Sequence, residues 1–162
     1  MIEPARHDLS QEELRALAAA LAADPRQWEH LVEHRADART YAELHRDDHL
    51  AVWLICWMDD HDTGFHDHDL SAGAVGVAAG AVREERLVLG GAPVERVVSA
   101  GESFSFGPSD IHRVAHAPGA PAVTVHAYSP PLWRMGAYEV LASGELQRWS
   151  LSYAEELRPI GA

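Results

Sequence analysis

The sequence of 162 residues contains no lysine, no asparagine and only one cysteine, Cys56. One cysteine excludes an internal disulfide framework and a multi-cysteine metal cluster, and it makes a reducing cytoplasm the expected location. We expect Cys56 to be a small buried hydrophobe. Long apolar runs are also missing, because Gly, Arg or Asp interrupts each run well before 18 residues, and residues 1–10 hold no apolar signal-peptide segment. No membrane association is therefore predicted.

Positive charge is scarce, because 13 arginines stand against 25 acidic residues and the formal net charge is −12. A protein with this charge repels phosphate backbones and anionic lipids, so nucleic acid is not an expected partner. The hydrophobic fraction of 47% supplies a core, which excludes disorder of the whole chain. The length predicts a single domain over 1–162. As a separate expectation, the protein is a monomer or weak homo-oligomer.

Two short α-helices are predicted near the N-terminus. The Ser-x-x-Glu pattern at residues 10–13 is a capping box, and apolar residues at helical spacing follow it over 11–23. A proline directly after Asp24 indicates a second helix over 25–34. The residues expected on the buried face of that second helix are Trp28, Leu31 and Val32.

Beyond residue 40 the hydrophobic pattern changes to a period of two, interrupted by Gly, Pro, Asp and Ser. Many short strands of this kind predict a β-sandwich or small barrel over 40–151, with a helical leader over 1–38 and a tail over 152–162. The predicted strands are 40–45, 50–58, 64–69, 73–79, 82–89, 94–99, 103–107, 112–117, 122–129, 136–142 and 145–151.

Histidine is abundant, with 11 residues, and the densest cluster is His66-Asp67-His68. Residues i and i+2 of a strand point to the same face, so the two imidazoles project side by side as candidate metal ligands; solvent-facing histidines are the alternative. His112, which follows a Gly-Pro turn, is the candidate third ligand. Three neutral imidazoles with open positions suit Fe(II), and also Zn, Ni or Cu. His116 has the same parity as His112, but we expect it to be an exposed histidine at a strand end.

Thr124, His126 and Tyr128 alternate along one predicted strand and share a face, while the intervening Val and Ala residues share the other. A hydroxyl, an imidazole and a phenol in this order can form a hydrogen-bonded chain in which His126 positions the Tyr128 hydroxyl. An outward polar face on a half-exposed strand is the alternative.

Taken together, residues 40–140 resemble the cysteine dioxygenase family, which are cupin-fold thiol dioxygenases. The resemblance implies a single cupin (jelly-roll) antiparallel barrel and a bound Fe(II). The motifs that carry it are His66-Asp67-His68 with Gly80 and Glu84 downstream, His112-Arg113-Val114, and His126-Ala127-Tyr128-Ser129-Pro130-Pro131. The implied metal ligands are His66, His68 and His112, and the implied catalytic residues are Thr124, His126 and Tyr128.

Two departures from the family pattern are mild. Gly73 stands where mammalian members carry a cysteine crosslinked to the catalytic tyrosine, so Tyr128 is expected to be unmodified, as in bacterial members. Thr124 stands where the family usually has serine and keeps the hydroxyl. Other cupins place a metal-binding Glu nearby, and its absence favours a three-histidine site.

A third departure bears on the substrate. Tyr41 and Glu43 stand where cysteine dioxygenases have Tyr-x-Arg, whose arginine grips the substrate carboxylate. A carboxylate at this place attracts a cation, and Tyr41 together with Trp133 can add cation–π contacts to the bound substrate. We therefore predict a thiol other than cysteine, with ergothioneine first and cysteamine second. If Arg39 or Arg46 takes the missing role instead, cysteine or 3-mercaptopropionate is the substrate.

The predicted reaction adds both atoms of O2 to the sulfur of a small thiol and gives a sulfinic acid. The alternatives are a metal-binding cupin with other chemistry and a non-catalytic module that binds a small ligand. Aromatic residues are candidates for a dry wall around the site: Trp53, Trp57, Phe65, Phe104 and Phe106.

Overall fold

The computed structural model describes residues 2–152, which form one α-helix and eleven antiparallel strands. The alternating pattern places every predicted strand within a few residues of an observed one. The helix α1 spans Gln11–Ala22. The strands are β1 (Thr40–Arg46), β2 (Ala51–Trp57), β3 (Phe65–Asp67), β4 (Ala72–Ala79), β5 (Ala81–Arg86), β6 (Val94–Ser99), β7 (Ser103–Phe106), β8 (His112–His116), β9 (Ala122–Ser129), β10 (Arg134–Val140) and β11 (Leu146–Ser152).

The strands form two sheets that pack face to face. The five-stranded sheet has the order β1-β2-β9-β4-β7, and the six-stranded sheet has the order β11-β10-β3-β8-β5-β6. The predicted all-β jelly-roll class is confirmed. The predicted cupin barrel is an open sandwich, because within residues 2–152 no ladder of hydrogen bonds joins the two sheets into a single ring.

Helix α1 covers the outer face of the five-stranded sheet, as predicted. Its capping box is present, with the Ser10 amide donating to the Glu13 carboxylate at 2.8 Å and the Glu13 amide donating to the Ser10 hydroxyl at 3.3 Å. Leu14 and Ala18 are fully buried against the sheet. A Cβ atom on Gly76 of β4 would lie only 2.4 Å from the Ala18 carbonyl oxygen, so glycine allows this close approach.

The second predicted helix is wrong. The segment 25–34 forms two 3₁₀ turns, Pro25–Gln27 and Glu29–Leu31, and Asp24 makes no side-chain cap. Trp28, between the turns, has a non-helical φ of −146° and donates its indole N–H to the Leu21 carbonyl at 2.8 Å. Trp28 is buried as expected, but Leu31 is exposed. Docking of the indole onto α1 thus interrupts the helix.

The two sheets create two separate apolar layers. One lies between α1 and the five-stranded sheet and includes Cys56, which is buried as predicted. The other lies between the sheets and includes Trp57, Phe104 and Phe106, beside the histidines described below. No helix among the described residues is long and apolar enough to cross a membrane. The predicted tail, apart from Ser152, lies outside the described residues.

Candidate metal centre

Three histidines converge on the inner side of the six-stranded sheet. His66 lies on β3, His68 follows directly after it, and His112 begins β8 and pairs with His66 in the sheet. One ring nitrogen from each histidine lies within 4.8 Å of those of the other two, and all three residues are buried. The predicted Gly-Pro turn assists this convergence, since the Pro108 carbonyl accepts a hydrogen bond from the His68 amide at 3.2 Å.

Hydrogen bonds leave the histidine lone pairs free on the inner side. The Nδ1 of His66 lies 3.0 Å from the Gly64 carbonyl, and the Nδ1 of His112 lies 2.9 Å from the Glu84 carboxylate. Both acceptors require a proton on Nδ1, so Nε2 of each ring carries a lone pair. The Nε2 of His112 and both ring nitrogens of His68 have no hydrogen-bond partner within residues 2–152. Buried nitrogens of this kind fit a metal ion.

The three histidines are neutral, as metal ligands must be. Burial lowers the pKa of His66 to about 4, although the bond to Gly64 opposes this shift. Burial also holds the pKa of His68 well below its ordinary value, with a further contribution from the neighbouring histidines. The pKa of His112 is lowered for the same two reasons.

Glu84 is a site residue to which sequence reasoning assigned no role. Its side chain is 2% exposed, and its carboxylate accepts hydrogen bonds from His112, from Arg86 at 3.0 Å and from Arg96 at 2.6 Å. The run Arg-Glu-Glu-Arg at 83–86 is typical of a solvated strand. Glu84 lies two residues after the buried Val82 on the same strand, so the two side chains share a face. This was the one signal that Glu84 points inward.

Asp67, between two of the histidines, faces the opposite side of β3, as the alternation predicts. Its carboxylate accepts hydrogen bonds from the Gly136 amide at 2.9 Å, from the Tyr138 hydroxyl and from the Arg148 guanidinium at 3.0 Å. These contacts raise the pKa of Arg148, chiefly through its hydrogen bond with Asp67. The segment that holds His66 and His68 is thus fixed to both β10 and β11.

Phe106 forms the aromatic wall closest to the histidines. Its ring stacks on His68 with centroids 4.3 Å apart and tilts against His112 at 4.4 Å. A Cβ atom on Gly73 would lie 2.3 Å from the Phe106 ring and 3.1 Å from the Tyr128 ring. The phenylalanine therefore occupies the space that a side chain at position 73 would need. Of the other predicted wall residues, Trp57 and Phe104 are fully buried, whereas Trp53 and Phe65 are half-buried.

The predicted polar chain is formed on β9, in the opposite sheet. The Thr124 hydroxyl lies 2.9 Å from Nε2 of His126, and Nδ1 of His126 lies 3.2 Å from the Tyr128 hydroxyl. The indole N–H of Trp57 donates to the Thr124 oxygen at 2.8 Å. Burial and the positive charge of Arg39 lower the pKa of His126 to about 3, so its ring is neutral.

The structure does not bring Glu43 and Trp133 together with these residues. Glu43 is exposed and forms an ion pair with Arg46 at 2.9 Å, while the Arg46 guanidinium lies over the Trp53 ring. Trp133 is 79% exposed and lines a surface groove with Leu151. Their predicted roles in substrate binding remain predictions.

Arg39, which precedes β1, is buried. Its guanidinium carbon lies 5.3 Å from the Trp57 ring centroid and 5.9 Å from the Tyr41 ring centroid. No carboxylate among residues 2–152 lies within ion-pair distance of it. Its charge contributes, after burial, to the lowered pKa of His66. The interior beside the histidines therefore contains an arginine cation.

His116 lies apart from the three ligands, four residues further along β8. Its Nδ1 lies 3.1 Å from the Asp59 carboxylate, and its Nε2 lies 3.0 Å from the Ala120 carbonyl. The side chain is 2% exposed, so the prediction of an exposed histidine is wrong. Its exclusion from the metal group agrees with the sequence-based choice of ligands.

Two facing antiparallel sheets with three inward histidines fit a metal site of the cupin type. The family model for cysteine dioxygenase type I matches residues 4–140, and the chain belongs to this family. The resemblance seen in the sequence is thereby confirmed. No curated protein sequence matches the chain.

Solved structures share the fold at low identity. TT1209 from Thermus thermophilus has a TM-score of 0.56 and 14% identity, over 63% of this chain and 92% of that chain. A cupin superfamily protein from Desulfitobacterium hafniense has a TM-score of 0.54 and 11% identity, over 64% of this chain and 87% of that chain. BH2720 from Bacillus halodurans has a TM-score of 0.53 and 21% identity, over 61% of this chain and 74% of that chain. These similarities establish the architecture.

Proposed function

We propose that this protein is an Fe(II)-dependent dioxygenase that adds both atoms of O2 to the sulfur of a small thiol and releases a sulfinic acid. The observation that carries the proposal is the meeting of two groups across the sandwich. The buried three-histidine cluster faces the Thr-His-Tyr chain, and the ring centroids of His68 and Tyr128 lie 5.6 Å apart. Membership of the cysteine dioxygenase type I family supports the same chemistry.

The residues that would hold the iron are His66, His68 and His112. Three neutral nitrogen ligands suit Fe(II), which when bound would accept a thiolate and dioxygen and favour loss of the thiol proton. The apolar rings of Phe104 and Phe106 keep this volume dry. A dry site protects reactive species from water and strengthens each polar contact inside it.

The hydrogen-bond donors of the chain on β9 can be assigned in order. The Thr124 oxygen already accepts the Trp57 N–H, and its own proton has a nearer acceptor in His126, at 2.9 Å, than in the Ile55 carbonyl, at 3.4 Å. His126 then carries its proton on Nδ1 and donates to the Tyr128 oxygen. This order directs the phenolic proton of Tyr128 away from His126, and we assign it to the reacting thiol or oxygen.

The charge around the site favours a thiol that carries a carboxylate. Arg39 is buried beside Tyr41 and Trp57 with no carboxylate partner among residues 2–152, and a buried cation is costly unless it is paired. A substrate carboxylate is a suitable partner for a guanidinium. We therefore propose a small thiol that carries a carboxylate, such as cysteine or 3-mercaptopropionate, with Arg39 in the role that the sequence left open.

The cationic substrates predicted from the sequence have less support. That prediction depends on Glu43, which is exposed and already paired with Arg46, and on Trp133, which lies on the surface. Neither ergothioneine nor cysteamine gains a defined contact from these residues. The single cysteine still favours the cytoplasm, where small thiols remain reduced.

Oxygen uptake by the iron-loaded protein tests the proposed function. We expect uptake with a carboxylate-bearing thiol and, with ¹⁸O2, a sulfinic acid that contains two labelled oxygens by mass spectrometry. Cysteine, 3-mercaptopropionate, cysteamine and ergothioneine are the thiols to compare. Iron binding without thiol-dependent oxygen uptake would contradict a dioxygenase and favour a cupin of other chemistry.

Ligand substitution tests the metal assignment. Alanine in place of His66, His68 or His112 should abolish both retained iron and activity, because two imidazoles hold the ion poorly. The matched control is His116→Ala, which removes a histidine from the same strand as His112 and should leave the iron content unchanged. Loss of iron in the control variant would show that the third ligand is wrongly assigned.

Arg39→Gln tests the substrate class. Hydrogen bonds to charged groups contribute about 1.5–3 kcal/mol, so the KM for a carboxylate thiol should rise about 10- to 100-fold. Turnover of cysteamine, which has no carboxylate, should change little. Arg46→Gln is the comparison, and a larger rise in that variant would move the role to Arg46. If Glu43→Gln instead raises the KM for a cationic thiol, the result would support the cationic substrates predicted from the sequence.

A further inference from the structure

Glu84 is a buried carboxylate on the far side of His112 from the other two ligands. It lies on the inner face of β5, opposite Val114 of β8, and its residue is 2% exposed. An isolated ionised carboxylate at such a position would be strongly unfavourable. Its retention here depends on the three donors that surround it.

The donors leave Glu84 in one orientation. Its Oε1 accepts from Nδ1 of His112 at 2.9 Å and from the Arg86 guanidinium at 3.0 Å, and its Oε2 accepts from Arg96 at 2.6 Å. The two guanidinium groups can only donate, so the carboxylate oxygens that face them are acceptors. His112 must therefore hold its proton on Nδ1 and present the lone pair of Nε2 to the metal site.

The two arginines are themselves fixed, so Glu84 cannot turn away. Arg86 also donates to the Ser105 carbonyl at 3.1 Å and lies 3.2 Å from the Asp110 carboxylate. Arg96 lies over the Phe104 ring, with its guanidinium carbon 5.0 Å from the centroid. These contacts anchor the carboxylate to β6, β7 and the turn before β8.

We propose that Glu84, clamped by Arg86 and Arg96, is the positioning residue of the third ligand, and that it raises the metal affinity of His112 by fixing its tautomer and making Nε2 more basic. A carboxylate hydrogen-bonded to a ligating imidazole has both effects. The inference rests on the proposed function only to the extent that His112 binds a metal. The candidate ligands among residues 2–152 are histidines and include no carboxylate. The hydrogen bond between Glu84 and His112 places a carboxylate next to one of these ligands instead.

Metal affinity is the first test, with Co²⁺ as a spectroscopic probe added to the metal-free full-length protein in competition with a chelator. Loss of such a carboxylate typically weakens metal binding about 10- to 100-fold, and we expect this for Glu84→Gln. Glu84→Asp should recover part of the affinity. The matched control is Glu85→Gln, since Glu85 faces the other side of β5 and pairs with Arg83. Wild-type affinity in Glu84→Gln would overturn the proposal.

The protonation of His112 is the second test, and its first part uses the wild-type protein. In ¹H–¹⁵N spectra of the wild-type protein, with and without Zn²⁺, we expect a slowly exchanging proton on Nδ1 of His112, shifted downfield by the carboxylate. In Glu84→Gln that resonance should move upfield, whereas Glu85→Gln should leave it in place. A metal-free protein with the His112 proton on Nε2 would contradict the proposal even if Glu84→Gln fails to fold.

The two proposals fail differently. A protein that binds Co²⁺ and loses affinity in Glu84→Gln, but oxidises no thiol, retains the role of Glu84 and refutes the dioxygenase. A protein that oxidises thiols and binds Co²⁺ equally well with Gln at position 84 retains the dioxygenase and refutes the role of Glu84. Failure of the wild-type protein to bind Co²⁺ would overturn both.

Discussion

Tyr128 illustrates how strongly one residue depends on its neighbours at this site. Glycine at position 73 offers the phenol no thiol, and the Phe106 ring fills the adjoining space, so packing and hydrogen bonds hold the phenol. The phenol contacts His126 on the side away from the metal ligands. Its hydroxyl is thus positioned without a crosslink to position 73.

Tyr128→Phe should slow turnover without loss of metal. The variant keeps the ring and its packing but removes the hydroxyl that we assign to proton donation, a contribution typically worth about 10²- to 10⁴-fold in rate. Oxygen uptake and iron content, measured on the same preparations, check this expectation. Full activity would remove the hydroxyl from the mechanism, and loss of iron would indicate a structural role instead.

The sequence predicted those site residues that lie close to one another along the chain. The two histidines of His66-Asp67-His68 and the alternating Thr124, His126 and Tyr128 lie close along the chain, so strand periodicity alone brings them together. Glu84 could not be found in this way, because two of its three partners lie 12 and 28 residues further along and on other strands. Arg39 precedes its strand and was therefore outside the periodic pattern.

At the scale of elements, the strands were predictable and the second helix was not. Period-two alternation between apolar and other residues is a direct consequence of strand geometry, so the strand positions followed from the sequence. The segment 25–34 has a correct start signal for a helix, but packing of Trp28 against α1 prevails over that local preference. Tertiary contacts of this kind leave no periodic trace in the sequence.

The packing of α1 against β4 leads to a prediction about the stability of the fold. Gly76→Ala should destabilise the fold by about 1–3 kcal/mol, because the new Cβ would lie 2.4 Å from the backbone oxygen of Ala18 and would push the helix outward. Urea denaturation measures the change in the free energy of unfolding. Gly91→Ala is the matched control, since a Cβ atom there meets nothing closer than 4.0 Å and the variant should be near neutral. Equal stability of the two variants would contradict this packing.

At the scale of the whole molecule, the interior holds neutral histidines in a strongly acidic protein. His126 has a pKa of about 3 in the folded state, lowered first by burial and then by the charge of Arg39, against about 6.5 in an unfolded chain. Below pH 6.5 the unfolded chain therefore binds a proton that the folded chain does not. Acid should weaken the metal-free fold from about pH 6.5 downward.

The contribution of His126 can be isolated by comparison with His126→Gln. As the pH falls from 6.5 toward 3, the free energy of unfolding of the wild type should decrease relative to the variant by up to about 1.4 kcal/mol per pH unit. Urea denaturation of both metal-free proteins at several pH values between about 7.5 and about 4.5 measures this difference. Parallel pH profiles would show that His126 is not buried in its neutral form.

The position of β1 at the open edge of the five-stranded sheet has an evolutionary consequence. Among residues 2–152 this strand pairs only with β2, whereas His66, His112 and the Thr-His-Tyr chain lie on strands with neighbours on both sides. Substitutions near β1 can therefore alter which thiol is accepted while the oxidative machinery keeps its geometry. Substrate preference is expected to diverge among relatives faster than the reaction itself. Arg39 and Glu43 lie at this edge, where a substitution disturbs fewer neighbouring strands.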